Sequence, residues 1–212
     1  MKGVSNRSVA WIIAGWLIVG GVVYNAAAVT NITLKVAPDI SSYADVTYDA
    51  ATDIFNVYGT PSTYIDASLH TNNVTGGEFH LALKIDSNGV PVVSSFNTTN
   101  LYITGATAGY TTPLVMGQFA YFTFTNNGSA DDFRFVFNTT GGTMSNVYGF
   151  QTAVVIAFSG DFTGSWTANF GSDIGGATPD TGSLIPEPSS QTLVLLSGCL
   201  FAVMGQRRRS RG

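Results

Sequence analysis

The feature that most constrains the fold is a two-residue alternation of apolar and polar side chains within residues 29–185. From Phe79 to Ile85 the apolar residues share one face of an extended chain, and His80 and Lys84 share the other. Residues 133–138 repeat the alternation with three phenylalanines. Period two is typical of half-buried strands, and no stretch here has a convincing helical stripe. The sequence therefore predicts an all-β domain.

Turn-forming residues separate the strand-like segments at intervals of about ten residues. The turns lie at Asp49 to Asp53, Ser87 to Gly89, Asn126 to Ser129 and Gly141-Gly142. Segments 119–124 and 153–158 are apolar on both faces and predict central strands. We expect an antiparallel β-sandwich or jelly-roll-like domain, with a closed barrel as the alternative.

The chain divides into four predicted parts. Residues 1–28 form a signal peptide, 29–170 the sandwich domain and 186–212 a sorting tail. Residues 171–185, rich in Gly, Thr, Ser and Asp without periodicity, predict a flexible stalk. The domain is thus expected between an N-terminal signal helix and a C-terminal transmembrane helix.

The C-terminal tail has three elements in order: Pro186-Glu187-Pro188, an uncharged apolar stretch, and the basic stub Arg207, Arg208, Arg209 and Arg211. Nineteen uncharged residues separate Glu187 from Arg207, and as a helix they would extend roughly 29 Å, close to the thickness of the bilayer core. The arginines would stop transfer and stay in the cytoplasm.

These elements resemble the PEP-CTERM sorting signal of exported proteins of Gram-negative bacteria. The resemblance implies recognition of Pro186-Glu187-Pro188 by an exosortase, removal of the tail, and a host that makes exopolysaccharide. An ordinary tail anchor behind a chance Pro-Glu-Pro is the alternative. Segments 48–55, 74–79 and 135–142 loosely resemble an uncharacterised β-rich domain that often precedes this tail, and no activity comes with that likeness.

The N-terminus independently predicts export. Lys2 and Arg7 precede an apolar run that ends in small residues, and signal peptidase is expected to cleave after Ala28, with Ala26 at the other small-residue position. An uncleaved signal anchor is the alternative, because residues 8–28 carry no charge. The domain is therefore expected outside the cytoplasm, first anchored to the inner membrane by the uncleaved tail and then on the cell surface or in the matrix.

Charge excludes one class of partner. Residues 29–185 contain three basic and twelve acidic groups, a net charge of −9. Nucleic-acid binding is not expected, since it depends on lysine and arginine. The one cysteine, Cys199, lies in the tail, so the domain is expected to fold without a disulfide.

The search for catalytic and metal-binding patterns is negative. His70 and His80 lack ligand spacing, and Asp131 and Asp132, being adjacent on a strand, would point to opposite faces. Asp45, Asp49 and Asp53 are not expected to gather in one loop. No catalytic residue, metal site or cofactor is predicted. The acidity of the domain keeps a bound calcium ion as the alternative.

Sugar binding is the remaining hypothesis for the domain itself. Trp166 is the aromatic residue to test as an exposed platform for a glycan, whereas Tyr48, Tyr58 and Tyr121 are expected in the core or at its rim. The leading function is a non-enzymatic surface or matrix protein associated with exopolysaccharide. The alternative is a carbohydrate-binding module or a small glycan-active enzyme.

The sorting hypothesis predicts a processed protein. Intact-mass measurement of the protein exported by its native host should give a chain that lacks the arginine stub, and replacing Pro186, Glu187 and Pro188 by alanine should leave the tail attached. A full-length C-terminus at Gly212, in a host that has an exosortase, would contradict the hypothesis.

Overall fold

The computed structural model describes residues 32–92, 99–126 and 131–185, without the side chains of residues 173 and 174. Within these ranges the chain forms nine strands and one short helix. They are β1 (Leu34–Asp49), β2 (Ile54–Ile65), β3 (Thr71–Asn73), β4 (Phe79–Lys84), β5 (Thr99–Ile103), β6 (Val115–Thr125), β7 (Asp131–Gly141), α1 (Ser145–Tyr148), β8 (Gln151–Gly160) and β9 (Phe170–Leu184). The predicted all-β class is confirmed.

The strands form one antiparallel sheet that closes on itself. Its order is β1-β9-β8-β7-β6-β5-β4-β2, and β1 also pairs with β2 from Asp39 to Asp49. Eight strands therefore make a barrel, and β3 lengthens the sheet beside β2. The structure has the closed barrel that was the alternative, in place of the expected sandwich. Both architectures show the same alternation, so the pattern could not separate them.

The barrel interior is a packed aromatic core. Phe133, Phe135 and Phe137 of β7 point inward and are fully buried, as the alternation predicts. On β4, Phe79, Leu81 and Leu83 are buried as well. An eight-stranded barrel has an interior narrow enough for side chains to fill, and in the described residues these side chains fill it.

The flexible stalk predicted over 171–185 is wrong. These residues belong to β9, which pairs with both β1 and β8. After Phe170, which packs in the core, the inward positions of β9 include small or hydroxylated residues, Ala177, Thr181 and Ser183, so residues 171–184 lack an apolar stripe. Two neighbouring strands supply its backbone hydrogen bonds, and this pairing overrides its weak propensity for strand. The barrel therefore extends to the end of β9.

The chain that leads into β1 covers part of the outer surface. Ile32 packs with Val136 and Ala153 in a small cluster separate from the main core. Arg134 Nη1 donates a hydrogen bond to the Ile32 carbonyl at 3.4 Å. The outer faces of β7 and β8 are therefore partly shielded by the chain itself.

The remaining predicted parts lie outside the described residues. The signal segment with Ala26 and Ala28, the Pro186-Glu187-Pro188 motif and the arginine stub all fall there. Among the residues that are described, no helix has both the length and the apolar character needed to cross a bilayer.

Candidate functional site

Trp166 is not an exposed platform. Its side chain is only 2% exposed, and its ring centroid lies 5.0 Å from that of Tyr48 and 5.3 Å from those of Phe162 and Phe170. Gly89, at φ +77°, lies over the indole, so close that an added Cβ would be 2.8 Å from Trp166 Nε1. The prediction that Trp166 contacts glycans is therefore wrong, and this residue supports the core.

The exposed aromatic side chains lie on the opposite side of the sheet from the core. Tyr58 on β2, which was expected in the core or at its rim, is 52% exposed. It pairs with His80 on β4, which in turn pairs with Tyr102 on β5, 37% exposed. We call Tyr58, His80 and Tyr102 the tyrosine row. Residues paired across adjacent strands project from the same face, so these rings form one outward-facing line.

The geometry of the row follows from the spacing of the strands. The rings of Tyr58 and His80 have centroids 6.3 Å apart and an interplanar angle of 67°. Because β4 separates β2 from β5, Tyr58 and Tyr102 lie about 10 Å apart, two strand spacings. Tyr43 on β1, 63% exposed, is a diagonal neighbour of Tyr58, since its own partner is Thr60. The row thus continues over four strands as a broad aromatic surface.

Polar groups border these rings. His80 Nε2 lies 3.0 Å from Asn56 Oδ1. The Glu78 carboxylate raises the pKa of Tyr58 through its charge and through the hydrogen bond that it accepts from the phenol. Asp45 is paired with Tyr58 across β1 and β2, and its Oδ1 accepts a hydrogen bond from the Gly175 N–H at 2.7 Å. The surface therefore offers flat rings with hydrogen-bonding groups at their edges.

The sequence contained a signal for this row. Phe55 and Val57 are apolar and point inward, so the same alternation places Asn56 and Tyr58 outside. The prediction that Tyr58 lies in the core or at its rim did not take account of its position in this alternation. The assignment of Tyr48 was correct, since it is buried and donates a hydrogen bond to the Ile85 carbonyl at 2.9 Å.

The two histidines do not come together. His70 lies in the turn after β2, with Nδ1 3.5 Å from Asp66 Oδ2, whereas His80 lies on the barrel face. The backbone N–H groups of His70 and Ser68 donate hydrogen bonds to the Asp66 carboxylate and lower its pKa. Asp66 therefore stabilises the turn.

Asp131 and Asp132 lie on opposite faces, as expected. Asp131 is buried, while Asp132 pairs with Arg134 at 3.0 Å, so the two carboxylates take opposite faces. Asp49 accepts hydrogen bonds from Ala51 and Thr52 in its own turn, and Asp45 is engaged with Gly175. Over residues 32–92, 99–126 and 131–185 no group of three or more His, Cys, Asp or Glu could hold a metal ion.

A shallow, open depression of about 500 Å³ lies at the β1–β2 turn. Its lining includes Asp49, Thr52, Asn56 and Asn169. Asn169 Oδ1 accepts a hydrogen bond from the Ala50 N–H at 2.9 Å, and Asp49 holds the turn. Asp49 and Asn169 thus stabilise the turn, whereas Asn56 contacts His80.

A second pair of carboxylates lies on β1 and β9. The Ser41 hydroxyl is 3.3 Å from Asp39 Oδ2 and 3.0 Å from Asp180 Oδ1. Burial, with the charge of Asp180 as the next cause, raises the pKa of Asp39 from 3.8 to about 6. Since one hydroxyl has a single proton to donate, protonation of Asp39 relieves the crowding of the two negative charges.

No protein-family model matches this sequence, and no significant similarity to a curated protein or to a solved structure was found.

The Asp39 pair predicts a specific dependence of stability on pH. A carboxyl whose pKa is raised by folding contributes stability that is complete below its unfolded pKa of 3.8 and is lost as the pH rises through about 6. Asp39→Asn should therefore gain about 1 to 2 kcal/mol relative to wild type between pH 4 and pH 7.5, since solvent screens part of the interaction.

Urea denaturation at several pH values measures this difference. Asp180→Asn is the matched variant, because removing its charge should shift the wild-type loss of stability to lower pH. Parallel pH profiles for wild type and Asp39→Asn would contradict the interpretation.

Proposed function

We propose that this protein is an exported bacterial surface or matrix protein whose barrel binds polysaccharide through the tyrosine row and catalyses no reaction. The observation that carries the proposal is the alignment of Tyr58, His80 and Tyr102 on one uncovered face of the sheet. The proposal unites the two functions that the sequence left open, a matrix protein and a carbohydrate-binding module.

The row has the properties that recognition of sugars requires. A pyranose ring presents apolar C–H groups on its faces and hydroxyls around its edge. Tyrosine rings offer large, rigid contact surfaces at a low cost in conformational entropy, and their hydroxyls hydrogen-bond at the rim. Asn56 and Glu78 add polar groups beside Tyr58 and His80. Successive sugars of one chain could therefore contact successive rings along the row.

The distribution of carboxylates supports a binding role over a hydrolytic one. Glycoside hydrolysis needs two carboxyl groups that face each other across a substrate. Asp131 and Asp132 point to opposite faces. Asp39 and Asp180 approach each other, but the Ser41 hydroxyl lies between them and contacts both. A sugar would have to displace this contact to reach the pair.

The destination in this proposal depends on the two ends of the chain. Signal peptidase and an exosortase would act during export, and the Pro186-Glu187-Pro188 motif and the arginine stub would direct the second step. A barrel that binds glycan suits the cell surface or the matrix, because exopolysaccharide would surround the protein there.

The proposal predicts that the tyrosines of the row carry the affinity for glycan. The purified full chain should bind at least one of three probes: N-acetylglucosamine hexamer, cellohexaose, or polysaccharide extracted from the producing host. Tyr58→Ala and Tyr102→Ala should each weaken binding about fivefold, the loss expected for one stacked ring.

Phe150→Ala is the matched control, since Phe150 is 79% exposed but lies outside the row. It should bind like wild type in the same calorimetric titration. Trp166→Ala is unsuitable as a probe because it would disrupt the core. Equal losses in Phe150→Ala and the tyrosine variants, or no binding to any probe, would contradict the proposal.

A further inference from the structure

We infer that the tyrosine row prefers a polymer of amino sugars that carry protonated amines. This inference rests on the proposed function and specifies the class of glycan.

The charged groups nearest to the row are carboxylates. Asp45 is the cross-strand partner of Tyr58, and the Glu78 carboxylate is near enough to the Tyr58 phenol for its charge to raise the pKa of that phenol. Beyond Tyr43 along β1 lies Ser41, whose hydroxyl contacts Asp180 at 3.0 Å. Three carboxylates therefore surround the diagonal pair of Tyr43 and Tyr58.

His80 is a basic residue within the row itself, whereas the lysine and arginine side chains of the described residues lie farther away. Lys84 is on the outer face of β4, four residues beyond His80, which corresponds to about 13 Å along a strand. Arg134 lies on β7 and pairs with Asp132, and Lys35 lies near the start of β1, ten residues before Asp45. The immediate charged border of Tyr43 and Tyr58 is therefore negative, in keeping with the net charge of −9 over residues 29–185.

This charge pattern selects among glycans. Uronate or sulfate groups would be repelled by the three carboxylates, and the barrel as a whole adds to that repulsion. An ammonium group on the sugar would be attracted by Glu78 and Asp45, and it could also lie over a tyrosine ring.

Each carboxylate keeps capacity for such a ligand. A carboxylate has about four lone-pair sites. Asp45 Oδ1 accepts one hydrogen bond, from the Gly175 N–H at 2.7 Å. An amino sugar stacked on Tyr58 would thus place its ammonium group between two acceptors that the fold already holds in position.

Two hexamers with the same backbone test the inference. Glucosamine hexamer and N-acetylglucosamine hexamer differ in the charge and the acetylation of the amine. With the full chain at pH 6 and 50 mM salt, we expect glucosamine hexamer to bind about tenfold more tightly, the combined effect of one exposed ion pair and one cation–π contact. Raising the salt to 0.5 M should narrow the difference, because these charges are exposed.

Variants that each remove one negative charge identify the carboxylates that cause the preference for glucosamine hexamer. Glu78→Gln and Asp45→Asn should each reduce the tenfold difference between the two hexamers to about threefold or less. Asp132→Asn, which removes a carboxylate from the outer face of β7, is the control and should keep the full preference.

The outcomes separate the inference from the function on which it rests. Equal or tighter binding of the acetylated hexamer, or a preference unchanged in Glu78→Gln and Asp45→Asn, overturns the inference while leaving glycan binding intact. If none of the hexamers, cellohexaose included, and no host polysaccharide binds, both fail. Both also fail if sedimentation shows a dimer that Tyr58→Ala dissociates, since a second copy would then occupy the row.

Discussion

Pairing of β1 with both β2 and β9 is the interaction on which the rest of the structure depends. β1 has sixteen residues, and it pairs with β2 along one edge and with β9 along the other. Because the barrel closes, β1 and β9 have no free edges. The backbone N–H and C=O groups of the glycine-rich strand β9 therefore find hydrogen-bond partners inside the sheet. Closure also separates the inside of the barrel from the outside, and thereby determines which aromatic residues are available to a ligand.

Closure divides the aromatic residues into two populations. Phenylalanines of β7 and Trp166 fill the interior, where each ring contacts several others at centroid distances of 5 to 6 Å. Tyr58 of β2 and Tyr102 of β5 lie outside, whereas Tyr48 and Tyr64 are buried with the phenylalanines. The face of the closed sheet from which a ring projects, and not the residue type, therefore determines whether a ligand can reach it.

Local parts of this fold could be predicted from sequence, and non-local parts could not. The strand around Phe79 and the three inward phenylalanines of β7 follow from an alternation visible within a few residues. Closure joins Ile40 to Thr181, and nothing in either segment specifies that partner. β9 was missed because its buried positions are small or polar. The exposure of Tyr58 could have been predicted from sequence, because Tyr58 follows the inward-facing Val57 in the alternation. The position of Tyr102 beside His80 could not, because it depends on the pairing of β4 with β5.

The central claim is that ligand binds on the outer tyrosine row, and NMR titration of the isotope-labelled protein with N-acetylglucosamine hexamer tests it most directly. The account predicts that chemical shifts change for Tyr58, His80 and Tyr102 and stay constant for the indole of Trp166. Largest changes at the depression beside Asp49 and Asn169, or no changes at millimolar ligand, would contradict it.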